Sequence, residues 1–204
     1  MPKAFLMTTD LGLVFDTNLS IDEDYEASDF HSIDLWSRHE PRPPGTGRLV
    51  YSSRYRSPRF DAYDYFPDTG SIAIVSDRLK FVFEQICSAG EVGFYPCEIR
   101  FKDITKEVWA AYPLTIKLLV DRQQSEIEWY VPDLQPKELI VKNSTKIVFQ
   151  DDCLGDLNIR RWRESRGHVV VSEKLKAGIE NVNSHGVKFL EDRELIFRQK
   201  SLDR

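Results

Sequence analysis

The chain is poor in the residues that carry most enzyme chemistry. Its 204 residues include three cysteines and four histidines. Cys87, Cys97 and Cys153 are odd in number and none lies in a CxxC pair, which excludes a zinc ribbon and a disulfide framework and suits reduced thiols in the cytoplasm. His31, His39, His168 and His185 are scattered, so a Cys–His nucleophile would require Cys97 or Cys153 to meet His168 in space. There is no GxSxG, no HExxH and no phosphate-cradling glycine loop. Asp151-Asp152, with Asp156, lacks the spaced oxygen donors and terminal glutamate of a calcium loop and reads as a turn. No metal and no cofactor is expected. No apolar run approaches a membrane span, and the apolar run within Met1–Asp10 is too short for a signal peptide, which points away from a membrane and toward a cytoplasmic protein. Basic charge is also in deficit. With 28 Lys and Arg against 33 Asp and Glu the formal net charge is −5, and general nucleic-acid binding, which needs a basic face to neutralise phosphates, is not expected.

What is present begins with a pattern used twice. A hydrophobic fraction of 41% is ample for a packed core, and two stretches organise it. Val75, Leu79, Phe83 and Ile86 recur at i, i+4, i+8 and i+11, as do Val171, Leu175, Ile179 and Val182, so each set forms one apolar helical stripe. Ser76 and Ser172 stand at N-cap positions. Each precedes an acid, Asp77 or Glu173, favourable at the positive end of a helix by roughly 0.3–1 kcal/mol. Gly90 and Gly186 supply stop signals, and each copy then enters a strand, Val92–Tyr95 or Val187–Leu190.

The remaining pattern is mostly strand. Lys3–Val14, Leu49–Tyr51, Ile127–Tyr130, Glu138–Val141, Lys146–Phe149 and Glu194–Phe197 read as strands, and the polar turn Asp151–Asp156 precedes Leu157–Trp162. Glu107–Val120 alternates as one antiparallel strand with a buried face. Phe94–Phe101 contains Pro96, which lacks an N–H and so marks an edge or a strand start. Cys87 and Cys97 read as small buried hydrophobes. The expected fold is α+β: antiparallel sheet with two equivalent helices from an internal helix-to-strand duplication. Residues 1–65 are expected to form a variable N-terminal subdomain and 66–204 the duplicated domain.

Two segments are candidates for binding. Asp22, Glu23, Asp24, Glu26 and Asp29 form the densest like-charge run, interleaved with Tyr25; it is either a solvated face or a docking surface for a cationic partner with Tyr25 as an apolar anchor. Arg54, Arg56 and Arg59 alternate with Tyr55, Phe60, Tyr63 and Tyr65. Basic residues among aromatics can stack bases, but Asp61 and Asp64 interrupt this run, which reads instead as a loop packing its aromatics on the core.

The order of features resembles the bacterial polymorphic-toxin immunity proteins of the immunity protein 11 group. The likeness is carried by Asp68-Thr69-Gly70, Ile74-Val75-Ser76-Asp77-Arg78-Leu79, Val92–Ile99, Val120-Asp121-Arg122-Gln123-Gln124-Ser125, Val170–Leu175 and Gly186-Val187-Lys188-Phe189. It spans roughly 66 to 197. Ile159-Arg160-Arg161-Trp162 departs from the group's usual Phe-Arg followed by an apolar residue. The resemblance implies a non-enzymatic immunity protein that binds a cognate toxin, basic at its active-site cleft, and blocks its active site or substrate access. Asp22, Glu23, Asp24, Tyr25, Glu26 and Asp29 would then contact the toxin, with Arg54, Tyr55 and Tyr63 as a second set. Two other classes remain open: an adaptor that binds peptides along a sheet edge, and a hydrolase with a pocket lined by Cys153, His168 and an acid.

Overall fold

Each of the two helices among the described residues starts where the sequence marks it. The hydroxyl of Ser76 accepts from the Leu79 amide at 3.3 Å and that of Ser172 from the Leu175 amide at 3.2 Å, satisfying one orphan donor in each first turn. Helix α1 spans Asp77–Ile86 and α2 spans Glu173–Asn181. Both end sooner than the glycines suggest, with Cys87 and Val182 as C-caps. Gly90 and Gly186 serve the turn beyond, where their φ values of 92° and 89° favour a residue without a Cβ. No atom lies within 4 Å of where a Cβ would sit at Gly90, so backbone conformation alone sets the requirement there.

The computed structural model describes residues 3–9, 19–21, 49–53, 63–66, 73–101, 104–130, 140–165, 168–192 and 195. Its strands are β1 (Ala4–Thr9), β2 (Leu19–Ile21), β3 (Leu49–Ser53), β4 (Tyr65–Phe66), β5 (Ala73–Val75), β6 (Val92–Phe101), β7 (Ile104–Pro113), β8 (Ile116–Lys117), β9 (Glu126–Tyr130), β10 (Ile140–Lys146), β11 (Ile159–Trp162), β12 (Val169–Ser172) and β13 (Val187–Leu190). They form a five-stranded sheet, β13-β1-β12-β11-β8, a six-stranded sheet, β2-β3-β6-β7-β5-β4, and the two-stranded β9-β10 ribbon. Most pairs are antiparallel; β3 with β6 and β8 with β11 are parallel. The fold is α+β.

Each helix bridges two strands of one sheet that a third strand separates. β5 leads into α1 and then β6, with β7 between β5 and β6; β12 leads into α2 and then β13, with β1 between them. The middle strand is antiparallel to both neighbours in each case. Alternation along these strands feeds two cores. Phe5, Met7, Val169 and Val171 pack with Leu79, Val82, Phe83, Leu175 and Ile179 from the helices, while Leu6 and Val170 point the opposite way and join Leu119, Ile147, Phe149 and Trp162. The five-stranded sheet is therefore buried on both faces, and its central residues are continuously apolar as such strands must be. The helices meet each other at Gly178, where an added Cβ would come within 2.2 Å of Ile86 Cδ1 and 3.3 Å of Val82 Cγ1.

Several strand boundaries differ from the sequence pattern. Glu107–Val120 is not one strand: β7 stops at Pro113 and β8 begins at Ile116. Pro96 lies inside β6, but β3 pairs only with Cys97 to Arg100, so the missing N–H falls beyond the reach of β3. Glu138–Val141 and Lys146–Phe149 are not separate strands; β10 runs through the gap with two register shifts, and Phe149 makes an isolated bridge to Val120. Of the expected last strand, Glu194–Phe197, only Leu195 is among the described residues, buried and without strand structure.

Candidate partner-binding surface

Asp22, Glu23, Asp24, Tyr25, Glu26, Asp29, Arg54 and Tyr55 lie outside the described residues. Tyr63 is described, and it is only 3% exposed. Its ring stands edge-on to Phe66 with centroids 6.4 Å apart, as expected of an aromatic loop packed on the core.

Beside Tyr63 is a polar lock that joins the two helix-bearing units. The buried carboxylate of Asp64 accepts from Ser76 Oγ at 2.7 Å, Arg78 Nε at 3.1 Å, Arg78 Nη2 and the His185 amide at 3.0 Å. Burial pushes the pKa of Asp64 up, but these donors outweigh it and hold the group below the usual aspartate value. A second lock stands at the corresponding place. Asn158 accepts from Ser172 Oγ at 3.0 Å and donates to the Ile86 carbonyl at 3.1 Å, and its amide donates to the Glu91 carboxylate at 2.5 Å. In both, a residue just before a strand holds its own unit's N-cap serine and the chain leaving the other unit's helix. The backbone bonds match as well: Ser76 N to Asp64 O is 2.9 Å and Ser172 N to Asn158 O is 2.8 Å.

The outer flanks of the helices repeat one motif. Lys80 Nζ lies 4.5 Å from the Trp109 ring centroid and bonds Glu84, while Lys176 Nζ lies 4.6 Å from the Phe5 ring and pairs with Glu180. Trp109 Nε1 also donates to Asp77 at 2.6 Å. On the crest of α1, facing away from Leu79 and Phe83, sits Phe81 at 61% exposure. Its ring is off the apolar stripe, and that offset is the sequence signal by which it could have been found. Beyond the N-terminus of α1 the β6–β7 pair continues, with Pro96 and Trp109, Glu98 and Glu107, and Arg100 and Thr105 in register. Near the other helix, α2 and β13 frame a cleft of about 540 Å³ lined by Lys176, Glu180, His185, Lys188 and Phe189.

The residues named for a nucleophile are placed unfavourably for that use. Cys153 is buried, and burial pushes its thiol up to about 11. Cys97 is fully buried and its thiol faces the Tyr95 carbonyl at 3.4 Å. Half-buried Cys87 is pushed up to about 12 by burial and by the Glu91 carboxylate. Raised in this way, the Cys87 and Cys153 thiols are protonated at neutral pH and poor nucleophiles. The His168 ring packs on Trp162 with Nδ1 2.8 Å from Ser165 Oγ, and burial lowers its pKa. Among the described residues no group of three or more His, Cys, Asp or Glu is placed to hold a metal ion, and no helix is long and apolar enough to cross a membrane.

Comparison with known proteins gives one family. A model described as an immunity protein family, Imm11, matches residues 13–193. No curated protein matches the chain.

Proposed function

The chain belongs to the Imm11 immunity protein family, and from that membership we propose that it protects a bacterial cell by binding a cognate polymorphic toxin and blocking its active site or substrate access. The match over residues 13–193 is the observation that carries this conclusion. Inhibition by occlusion needs a rigid body with anchoring side chains, and charge opposite to the target's speeds association and orients it. A net charge of −5 suits a toxin that is basic at its cleft, as one acting on nucleic acid would be. The acidic run from Asp22 to Asp29, with Tyr25 among its carboxylates, is the docking segment in this proposal, and Arg54 and Tyr55 are a second contact. The protein acts in the cytoplasm as a binding protein without catalysis of its own.

The scaffold under this surface is two copies of one unit. Support comes from matched N-caps, matched post-helix glycines, the paired Asp64 and Asn158 locks and the paired lysine-on-aromatic contacts. A second class, an adaptor that takes a peptide strand, is favoured by one observation, the open cleft beside β13, a strand at the end of its sheet.

Growth rescue tests the main proposal. The toxin domain encoded beside this chain is expressed from an inducible promoter with and without the full chain. Restored growth, with a one-to-one complex on gel filtration, is the expected result. Toxicity undiminished by well-expressed chain overturns the proposal.

A further inference from the structure

The two helix-bearing units share several contacts and differ at others. The Lys80–Trp109 contact has its counterpart in Lys176–Phe5, and the Lys80–Glu84 pair in Lys176–Glu180. The shared scaffold accounts for these. Phe81 has no such counterpart, because the position corresponding to it in α2 is Ala177, also exposed. Packing therefore does not demand a phenyl ring there, and 61% of it faces water, where its burial by a partner would be favourable.

The second difference is strand length. β6 and β7 have ten residues each, against four in β13 and six in β1. The additional residues carry the sheet past the N-terminus of α1 as a ledge on the helix side. On it Glu98 lies across from Glu107, an arrangement of like charges that does not favour the sheet itself. With Asp77 and Glu84 on the helix, four carboxylates of the described residues stand on this side, where Lys80 pairs with Glu84 and Arg100 with Glu98. Arg78 turns to the opposite flank, toward Asp64.

We propose that the crest of α1 and the adjoining β6–β7 ledge dock a cationic surface of the toxin domain, with Phe81 entering an apolar pocket and Asp77 and Glu107 meeting basic side chains at its rim. The inference rests on the toxin-binding function proposed above. Its chemistry is that of an interface hot spot: an exposed aromatic ring on a rigid helix whose first turn holds Trp109 by the Asp77 hydrogen bond, within a charged border that selects an oppositely charged partner.

The test is calorimetric titration and stopped-flow association of the full chain with a catalytically inactivated form of the adjacent toxin domain. Phe81→Ala and Glu107→Lys change exposed side chains, and circular dichroism verifies that both fold. Phe81→Ala is expected to raise Kd about 30-fold or more, as hot-spot truncations do. Glu107→Lys should slow association at low salt and flatten its salt dependence, while Ala177→Ser at the corresponding crest of α2 changes nothing. If both substitutions leave Kd within about twofold of wild type, below what any hot spot shows, while wild type binds, the docking surface is overturned and the immunity function stands. Absence of binding by wild type removes both. A dimer that Phe81→Ala converts to monomer, with toxin affinity unchanged, assigns the face to a second copy and overturns the inference.

Discussion

Replacing Asp64 tests the lock between the two units most directly. Its carboxylate is 4% exposed and receives bonds from Ser76, Arg78 and the His185 amide. In Asp64→Ala the part-buried His185 N–H loses its acceptor, at a cost of at most about 1–3 kcal/mol. The Arg78 pair adds about 1 kcal/mol or less, because the arginine side chain is 48% exposed and screened by solvent. The expected loss is about 1–4 kcal/mol by these terms, read from urea denaturation at pH 7. Asp64→Asn keeps an acceptor and the volume, and should lose about 1–2 kcal/mol. The pH dependence has a definite sign. The folded-state pKa lies below the ordinary value, so the contribution is complete above the unfolded pKa of about 3.9 and is lost as pH falls through the folded pKa. The gap between wild type and Asp64→Asn must therefore narrow in acid. An Ala variant within about 0.5 kcal/mol of wild type at pH 7, the range of ordinary surface changes, or a gap that widens in acid, refutes the lock.

Other perturbations test separate parts of the fold. Gly178→Ala gains about 1 kcal/mol of helix propensity but forces a Cβ onto Ile86 Cδ1 and Val82 Cγ1, and overpacking of about 1–3 kcal/mol should leave it less stable than wild type. Because Ile86→Val deletes the closest clashing atom, thermal melts of the double variant should show positive coupling. The Glu164 side chain is buried and accepts from the Leu119 and Val120 amides at 3.0 and 3.3 Å. Glu164→Ala should cost about 2–6 kcal/mol, from two stranded buried donors at about 1–3 kcal/mol each, and hydrogen exchange at both amides should quicken. Ser76→Ala and Ser172→Ala should each cost about 1 kcal/mol, with chemical denaturation reporting similar losses for the two. All three thiols should resist a disulfide reagent at pH 8 in the native protein and react once it is denatured, since burial keeps Cys87 and Cys153 protonated and Cys97 is enclosed.

Phe81 shows how far the candidate surface could be read in advance. The stripe through Val75, Leu79, Phe83 and Ile86 identifies the buried face of α1 and leaves Phe81 off it. An off-stripe aromatic can still be covered by a distant segment, so its exposure follows only from the tertiary arrangement. Tyr63 shows the converse. Its place among arginines and tyrosines allowed both a contact with a partner and packing on the core, and its ring is enclosed against Phe66.

Sequence alone was sufficient for the elements whose causes are local. A serine three residues before the leucine of an apolar stripe, an acid beside it and a glycine after it act within a few residues, so the two helix-to-strand segments were legible in the chain. It did not reveal which strands lie side by side. β1 sits between β12 and β13, some 160 residues or more away in sequence, and β7 separates β5 from β6. Alternation states that a strand has a buried face but carries no address for its neighbour. The same holds for Asp64 with His185 and for Glu164 with the amides of Leu119 and Val120: their polar bonds form only after long-range pairing brings the partners together. Local chemistry determined the helices, and tertiary packing decided the sheets, the locks and the exposure of Phe81.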